Sequence, residues 1–192
     1  MDYFSPSFFA LLSPLDWDKH LKHTSSMDFG KAFSALKEHE VLYLVIGGLA
    51  MNLHGIPRIT GHLNLFVELE SENMKRFLDA VTSLDCEPRP PVDHDVLLCS
   101  DKRLALVKDK KLRVCTFVSL STPSMEIDIR LDPPDDFTEV NKRKKEVPFG
   151  DEKIPVLSMD DMIKWKSGSK RRQDIYDIEA LKTARKLQES KN

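Results

Sequence analysis

The segment VLYLVIGGLAMNLHGIPRITGHLNLFVE, residues 41–68, decides the fold of this chain. Val41 to Ile46 is a short apolar run rich in β-branched and aromatic residues, which predicts a buried strand. The pair Gly47-Gly48 follows at once and predicts a tight turn where a ligand can approach the backbone and amide groups can bind phosphate. Leu49 to His54 is then expected to form a short helix, and Leu63 to Val67 a second strand.

The same segment resembles the nucleotidyltransferase superfamily, in the branch of small bacterial proteins related to minimal nucleotidyltransferases and nucleotidyltransferase-type toxins. The resemblance rests on the glycine pair, on Leu53-His54-Gly55 at the end of the short helix, and on Arg58-x-Thr60 in the turn. It implies a nucleoside triphosphate ligand held by Gly47, Gly48, Arg58 and Thr60, and a bacterial, toxin–antitoxin-like context. A planar guanidinium suits phosphate. The alternative for Arg58 is a surface turn in which its side chain caps carbonyl groups.

The sequence departs from the family where two aspartates, one residue apart, are expected on the second strand. His62 and Asn64 stand there instead. Side chains at i and i+2 of a strand share a face, roughly 7 Å apart, so two carboxylates can share a pair of Mg²⁺ ions. Asn64 offers only a neutral oxygen, and the nitrogen of His62 suits Zn²⁺ or Cu²⁺ better than Mg²⁺. Two-metal nucleotidyl transfer is therefore expected to be lost or weakened.

Met125 to Leu131 alternates apolar and charged residues, which predicts a strand with Glu126, Asp128 and Arg130 on one face. The resemblance implies that this strand lies beside the second one and that Asp128 is the third family carboxylate. The candidate catalytic residues are therefore Asp128, His62 and Asn64, and the candidate ligands of a weakened Mg²⁺ or Mn²⁺ site are Asp128, Glu126 and His62. The alternative is a solvated strand face with an Asp–Arg pair.

The C-terminal region, from about residue 158, predicts two helices. Ser158 with Asp161 is a helix-start signature. The family ending is matched by Lys166, Gly168, Arg172, Asp174, Asp177 and Leu181. Lys166 either binds the nucleotide phosphates or pairs with Asp174 or Asp177 to fix the two helices, and the sequence leaves both roles open.

The remaining segments carry weaker signals. Helices are expected over 28–39 and from Ser71 to about Leu84, and a hairpin over 145–157. Residues 87–95 are Pro-rich and predict an irregular connection, followed by short apolar pieces at 96–98 and 104–107. The basic run near the end of a short helix over 137–145 predicts a solvated face, with a phosphate or nucleic-acid patch as the alternative.

Composition indicates a globular protein without a general affinity for nucleic acid. The 192 residues include 29 Lys and Arg against 31 Asp and Glu, a net charge of −2, so nucleic acid is not expected as a partner. The three cysteines, Cys86, Cys99 and Cys115, predict reduced thiols of a cytoplasmic protein. No apolar run approaches membrane-spanning length, and no membrane partner is expected.

The chain divides into an apolar N-terminal arm, residues 1–25, and a nucleotidyltransferase-like domain, residues 26–192. The large apolar side chains of the arm include Phe4, Phe8, Phe9, Leu12 and Trp17. Groups of this kind bury themselves, either on their own domain or on a partner subunit or protein.

The predicted fold is α+β, a mixed twisted sheet flanked by helices, and three functions are compatible with it. The preferred hypothesis is a nucleotide-binding or regulatory pseudoenzyme with a degenerate metal site and weak or no transfer activity. The second is an active metal-dependent enzyme that transfers NMP to a protein, an RNA or a small molecule. The third is a protein-interaction module that binds no nucleotide. A fold alone does not decide among them.

Overall fold

The computed structural model describes residues 29–122, 124–132, 136–150 and 152–190. They form eight helices and seven strands. In chain order these are α1 (Phe29–Glu38), β1 (Tyr43–Ile46), α2 (Gly47–Leu53), β2 (Leu63–Val67), α3 (Ser71–Ser83), β3 (Cys86–Arg89), α4 (His94–Leu98), α5 (Ser100–Asp109), β4 (Val114–Ser119), β5 (Glu126–Arg130), α6 (Phe137–Lys142), β6 (Lys145–Phe149), β7 (Glu152–Val156), α7 (Met159–Ser167) and α8 (Arg172–Glu189).

The strands form one mixed sheet in the order β3-β4-β5-β2-β1-β7-β6. The central pair, β1 and β2, is antiparallel, whereas β5 runs parallel to β2 and β7 runs parallel to β1. The outer pairs, β3 with β4 and β6 with β7, are antiparallel. The predicted α+β class is confirmed, and the strand expected to carry Asp128 does lie beside β2.

Burial follows the sequence pattern of each strand. All four residues of β1 are buried, and Asn64 is the one partly exposed residue of β2. Strands β4 and β5 alternate, with Phe117 and Ile127 fully buried on one face. Because side chains alternate across a strand, Thr116 and Asp128 share the opposite, partly exposed face. The sheet thus has an apolar core side and a polar side at its centre.

Helices α1 and α3 cover the core side, as their amphipathic patterns predict. Helix α1 buries five residues: Phe29, Ala32, Phe33, Ala35 and Leu36. Asn73 of α3 is buried and bonds both the amide and the carbonyl of Leu42. This side-chain bridge fixes α3 against the chain that enters β1.

Three elements differ from the sequence expectations. Residues 86–89 form an edge strand, although Pro88 predicts an irregular segment, because a proline is tolerated where one side of the strand has no partner. The apolar pieces near 104–107 belong to the longer helix α5, which buries Arg103 and Leu106. Helix α6 ends at Lys142, and the basic run continues into β6.

The predicted N-terminal arm lies outside the described residues. Within the described part of the chain, none of the helices combines the length and the apolar character needed to cross a bilayer.

Candidate functional site

A cleft of about 690 Å³ opens on the polar side of the sheet. Its walls are the turn that joins β1 to α2, the turn before β2, the polar face of β5 and the junction of α7 with α8. Six of the candidate site residues line it: Gly47, Gly48, Arg58, Thr60, Asn64 and Asp128. Lys166 lines it too, whereas His62 and Glu126 lie beside the cleft, at one end of β5.

The glycine pair is required by the packing of this turn. Gly47 has a φ of +68°, which favours glycine, and a Cβ there would lie 3.1 Å from the Cβ of Asn64. A Cβ on Gly48 would lie 2.8 Å from the Cβ of Thr60, closer than two such atoms pack. The backbone of the glycine turn therefore lies directly against the residues that precede and begin β2.

The turn that carries Arg58 is held by a residue of α2. The buried amide of Asn52 accepts a hydrogen bond from the Arg58 backbone N–H at 2.6 Å and donates one to the Arg58 carbonyl at 2.8 Å. The Arg58 side chain lies 3.4 Å from Asp177 of α8, an ion-pair contact, and its Nε is buried without a hydrogen-bond partner. Arg58 thus links the turn to the C-terminal helix.

Strand register places Asn64 beside Asp128. The parallel pairing of β2 with β5 sets these two residues opposite each other, and Asn64 also pairs with Ile46 at the end of β1. Its Nδ2 donates to the His62 carbonyl at 3.4 Å. The position next to Asp128 is therefore filled by an amide, where the family resemblance expects a carboxylate.

Asp128 and Glu126 belong to one contact network on the polar face. Asp128 accepts a hydrogen bond from the Thr116 hydroxyl at 2.7 Å and lies 3.2 Å from Nδ1 of His62. Glu126 lies 3.3 Å from Nε2 of the same ring and accepts a hydrogen bond from Arg89 at 3.0 Å. The His62 ring, half exposed, therefore lies between the two carboxylates.

Lys166 lies between two other carboxylates. Its Nζ donates to Asp174 at 2.7 Å and to Asp177 at 2.8 Å, and its side chain is 5% exposed. Ser169 donates to Asp174 and Gln173 donates to Asp177, so that both carboxylates are further bonded. Burial alone raises the pKa of Asp174, but the hydrogen bonds from Lys166 and Ser169 hold it below its usual value. Of the two roles left open for Lys166, these contacts favour fixing the helices.

His54, which directly follows the short helix α2, packs in the interior of the protein. It is buried, and its Nε2 lies 2.7 Å from the Leu157 carbonyl. Burial lowers the pKa of His54 to about 4. The neutral ring therefore donates to this carbonyl and joins α2 to the segment that follows β7.

Three residues of the site carried no clear signal in the sequence. They are Asn52, Thr116 and Arg89, whose side chains contact Arg58, Asp128 and Glu126 respectively. The one hint was Asn52, an amide within an otherwise apolar short helix. Across the ranges that the structure describes, no group of three or more His, Cys, Asp or Glu residues is arranged to hold a metal ion.

The fold is similar to that of a known enzyme. A solved structure of the lincosamide antibiotic adenylyltransferase LnuA, with lincomycin bound, superposes with a TM-score of 0.52, covering 81% of this chain and 95% of LnuA. The two sequences are 14% identical. No protein-family model and no curated protein sequence matches this chain. The chain thus has a nucleotidyltransferase fold, and the roles of its site residues stay predictions.

Proposed function

We propose that this chain binds a nucleoside triphosphate in the cleft and transfers nucleotidyl groups weakly or not at all. The observation that carries the proposal is the residue beside Asp128. Strand register puts Asn64 there, a neutral amide where the resemblance expects a carboxylate, while Gly47, Gly48 and Arg58 line the same cleft. A regulatory role, in the toxin–antitoxin-like context that the resemblance implies, follows from binding without turnover.

The cleft supports nucleotide binding. Its volume, about 690 Å³, lies within the range of small-molecule sites. Gly47 and Gly48 line the cleft at the start of α2, where the first backbone amides of a helix have no partner within it. Arg58, held in place by Asn52, offers a guanidinium for phosphate. Lys166 adds positive charge to the same wall, although its ammonium group is already shared by two aspartates.

The residues present do not fit a pair of magnesium ions. Two such ions need several anionic oxygens, with near-octahedral geometry around each. Four aspartates line the cleft, but Asp132 pairs with Arg130, and Asp174 and Asp177 pair with Lys166. The fourth, Asp128, lies beside the neutral amide of Asn64, and the next acidic residue along the strand, Glu126, contacts Arg89 and His62. We therefore derive no catalytic step through a metal ion.

An active transferase is the second candidate. LnuA is an adenylyltransferase that acts on a lincosamide antibiotic, which suggests a small molecule as the acceptor. Asp128 stays at the cleft in the position expected of a family carboxylate. On this hypothesis Mn²⁺ is the better ion, because it tolerates an imidazole ligand more readily than Mg²⁺ does.

The experiment is a calorimetric titration of the four ribonucleoside triphosphates with Mg²⁺, with Mn²⁺ and with EDTA. We expect binding that persists in EDTA. Binding that requires a metal ion contradicts the degenerate site and favours the active transferase. Absence of binding in every condition contradicts nucleotide binding and leaves the interaction module.

Two variants locate the binding. Gly48→Ala places a Cβ against Thr60 and is expected to weaken nucleotide binding at least about tenfold, or 1.4 kcal/mol. The matched control is Gly61→Ala, where a Cβ has nothing within 4 Å, and its affinity is expected to stay unchanged. The double variant His62→Asp with Asn64→Asp is expected to gain metal-dependent affinity. If it gains none, the loss of carboxylates does not explain the weak metal site.

A further inference from the structure

Every oxygen of the two carboxylates on β5 already has a partner. One oxygen of Asp128 accepts from Thr116 at 2.7 Å, and the other lies 3.2 Å from Nδ1 of His62. One oxygen of Glu126 accepts from Arg89 at 3.0 Å, and the other lies 3.3 Å from Nε2 of His62. A divalent cation that bridges the two carboxylates would have to take the place of the His62 ring, which lies between them.

The His62 ring supplies two of the four contacts, one from each nitrogen. Since Glu126 and Asp128 are two residues apart on one face of β5, their charges repel each other unless a donor or a cation lies between them. Nδ1 of the ring faces Asp128 and Nε2 faces Glu126. His62 thus fills the space between the two carboxylates, where a bridging metal ion would have to lie.

We infer that the His62 side chain occupies the divalent-cation position of this site and excludes Mg²⁺ and Mn²⁺ from it. This inference deepens the proposed function. It rests on that function for one consequence, namely that nucleotide binding in the cleft needs no divalent cation. The exclusion itself concerns the nucleotide-free protein. A test in the absence of nucleotide therefore fails or succeeds independently of the proposed function.

Removal of the His62 ring uncovers one carboxylate oxygen of Asp128 and one of Glu126, which face the same space. In His62→Ala, the Asp128 and Glu126 oxygens that contacted the imidazole both lose their partner, and Asn64 lies in register beside Asp128. Two anionic oxygens and an amide oxygen are the donor types that Mn²⁺ and Mg²⁺ prefer. The variant is therefore expected to acquire a single divalent-cation site.

The experiment titrates Mn²⁺ into the nucleotide-free protein, with free Mn²⁺ followed by electron paramagnetic resonance. We expect no saturable Mn²⁺ binding by the unaltered chain. The affinity of His62→Ala for Mn²⁺ is expected to be higher by about tenfold or more. His62→Lys, which places an ammonium group beside the two carboxylates, is expected to bind Mn²⁺ no better than the unaltered chain. His94→Ala, a change at an exposed histidine of α4, is the matched control and is expected to have no effect.

A second change maps the gained site. Asp128→Asn added to His62→Ala is expected to abolish the gain, because one of the two uncovered carboxylates is lost. His62→Gln, which leaves one of the carboxylates without a donor, is expected to bind Mn²⁺ with intermediate affinity and serves as a milder variant if His62→Ala folds poorly. Thermal unfolding of each variant verifies the fold.

Two results overturn the inference. One is an affinity of His62→Ala for Mn²⁺ equal to that of the unaltered chain, in a folded protein. The other is saturable Mn²⁺ binding by the unaltered chain that Asp128→Asn removes, because an open site then exists with His62 in place.

Discussion

Two clusters of similar design lie in or beside the cleft, each with one nitrogen-bearing side chain between two acidic ones. The first, the strand cluster, is His62 with Asp128 and Glu126; the second, the helix cluster, is Lys166 with Asp174 and Asp177. The His62 side chain is 50% exposed, whereas that of Lys166 is 5% exposed. Because an unpaired charge costs far more in the interior than in water, the same pattern has different consequences in the two places.

The difference between the two clusters teaches that a residue which matches a family pattern can serve structural contacts. Lys166 matches the family ending, yet its ammonium group joins α7 to α8 through both aspartates and lies 5.4 Å from the centre of the Trp165 ring. In the strand cluster, which departs from the family pattern, the basic side chain is half exposed and only the two carboxylates are largely covered. Three changes, from the largest expected effect to the smallest, test this contrast.

Lys166→Ala is expected to destabilise the protein by about 3–5 kcal/mol, because it leaves two largely buried aspartates without the cation that pairs with both. Urea unfolding measures the loss. Lys164→Ala, a change at an exposed lysine of the same helix, is the control and is expected to stay within about 0.5 kcal/mol. A loss below about 1 kcal/mol for Lys166→Ala would show that the helix cluster does not hold the two helices together.

His54 provides a pH test of a second buried contact. Its pKa is lowered from 6.5 to about 4 in the folded protein, so between these pH values the unfolded chain binds more protons and stability falls as the pH falls. Between pH 7.5 and pH 5 this residue alone is expected to remove about 2 kcal/mol from the free energy of unfolding.

Urea unfolding at the two pH values measures this loss in the unaltered chain and in His54→Gln, whose amide can still donate to the Leu157 carbonyl. The variant is expected to lose this part of the pH dependence, while His94→Gln, at an exposed site, keeps it. An equal pH dependence in His54→Gln would mean that another group is responsible.

His62→Ala is expected to change the free energy of unfolding by less than about 1 kcal/mol, since the His62 ring is half exposed and ion-pair contacts near the surface contribute little. Thermal unfolding measures it beside Lys166→Ala. A destabilisation as large as that of Lys166→Ala would remove the contrast between the two clusters, and it would mean that the strand cluster is part of the folding core.

The sequence predicted the central part of the fold because its signals there are local. The apolar run of β1, the glycine pair and the alternation of β5 each specify their own conformation. The edge strand β3 escaped prediction because Pro88 obscures it and because its pairing with β4, such as Pro88 with Phe117, is a tertiary contact. Helix α5 was missed because its periodicity is weak.

The sequence indicated which residues would lie near the cleft, but it did not indicate which of their side chains would contact one another. Most residues named from the sequence do line the cleft, since the resemblance orders them along the chain. Nothing in the sequence indicated that Arg89 and His62 would take up the oxygens of Glu126, because that depends on how β3, β4 and β5 align in the sheet. The role of Lys166 likewise depends on tertiary packing, because its two aspartate partners are carried by the neighbouring helix α8.

The parallel pairing of β7 with β1 has a consequence for the order of folding. His54 and Leu157, which meet where these strands lie side by side, are 103 positions apart in the chain. Contacts across such separations form late, because a large loop must close before they are made. The helices α7 and α8 follow β7, so one wall of the cleft is added after the sheet centre. During synthesis from the N-terminus, we therefore expect the glycine turn to form early and the complete cleft to be among the last parts of the molecule to appear.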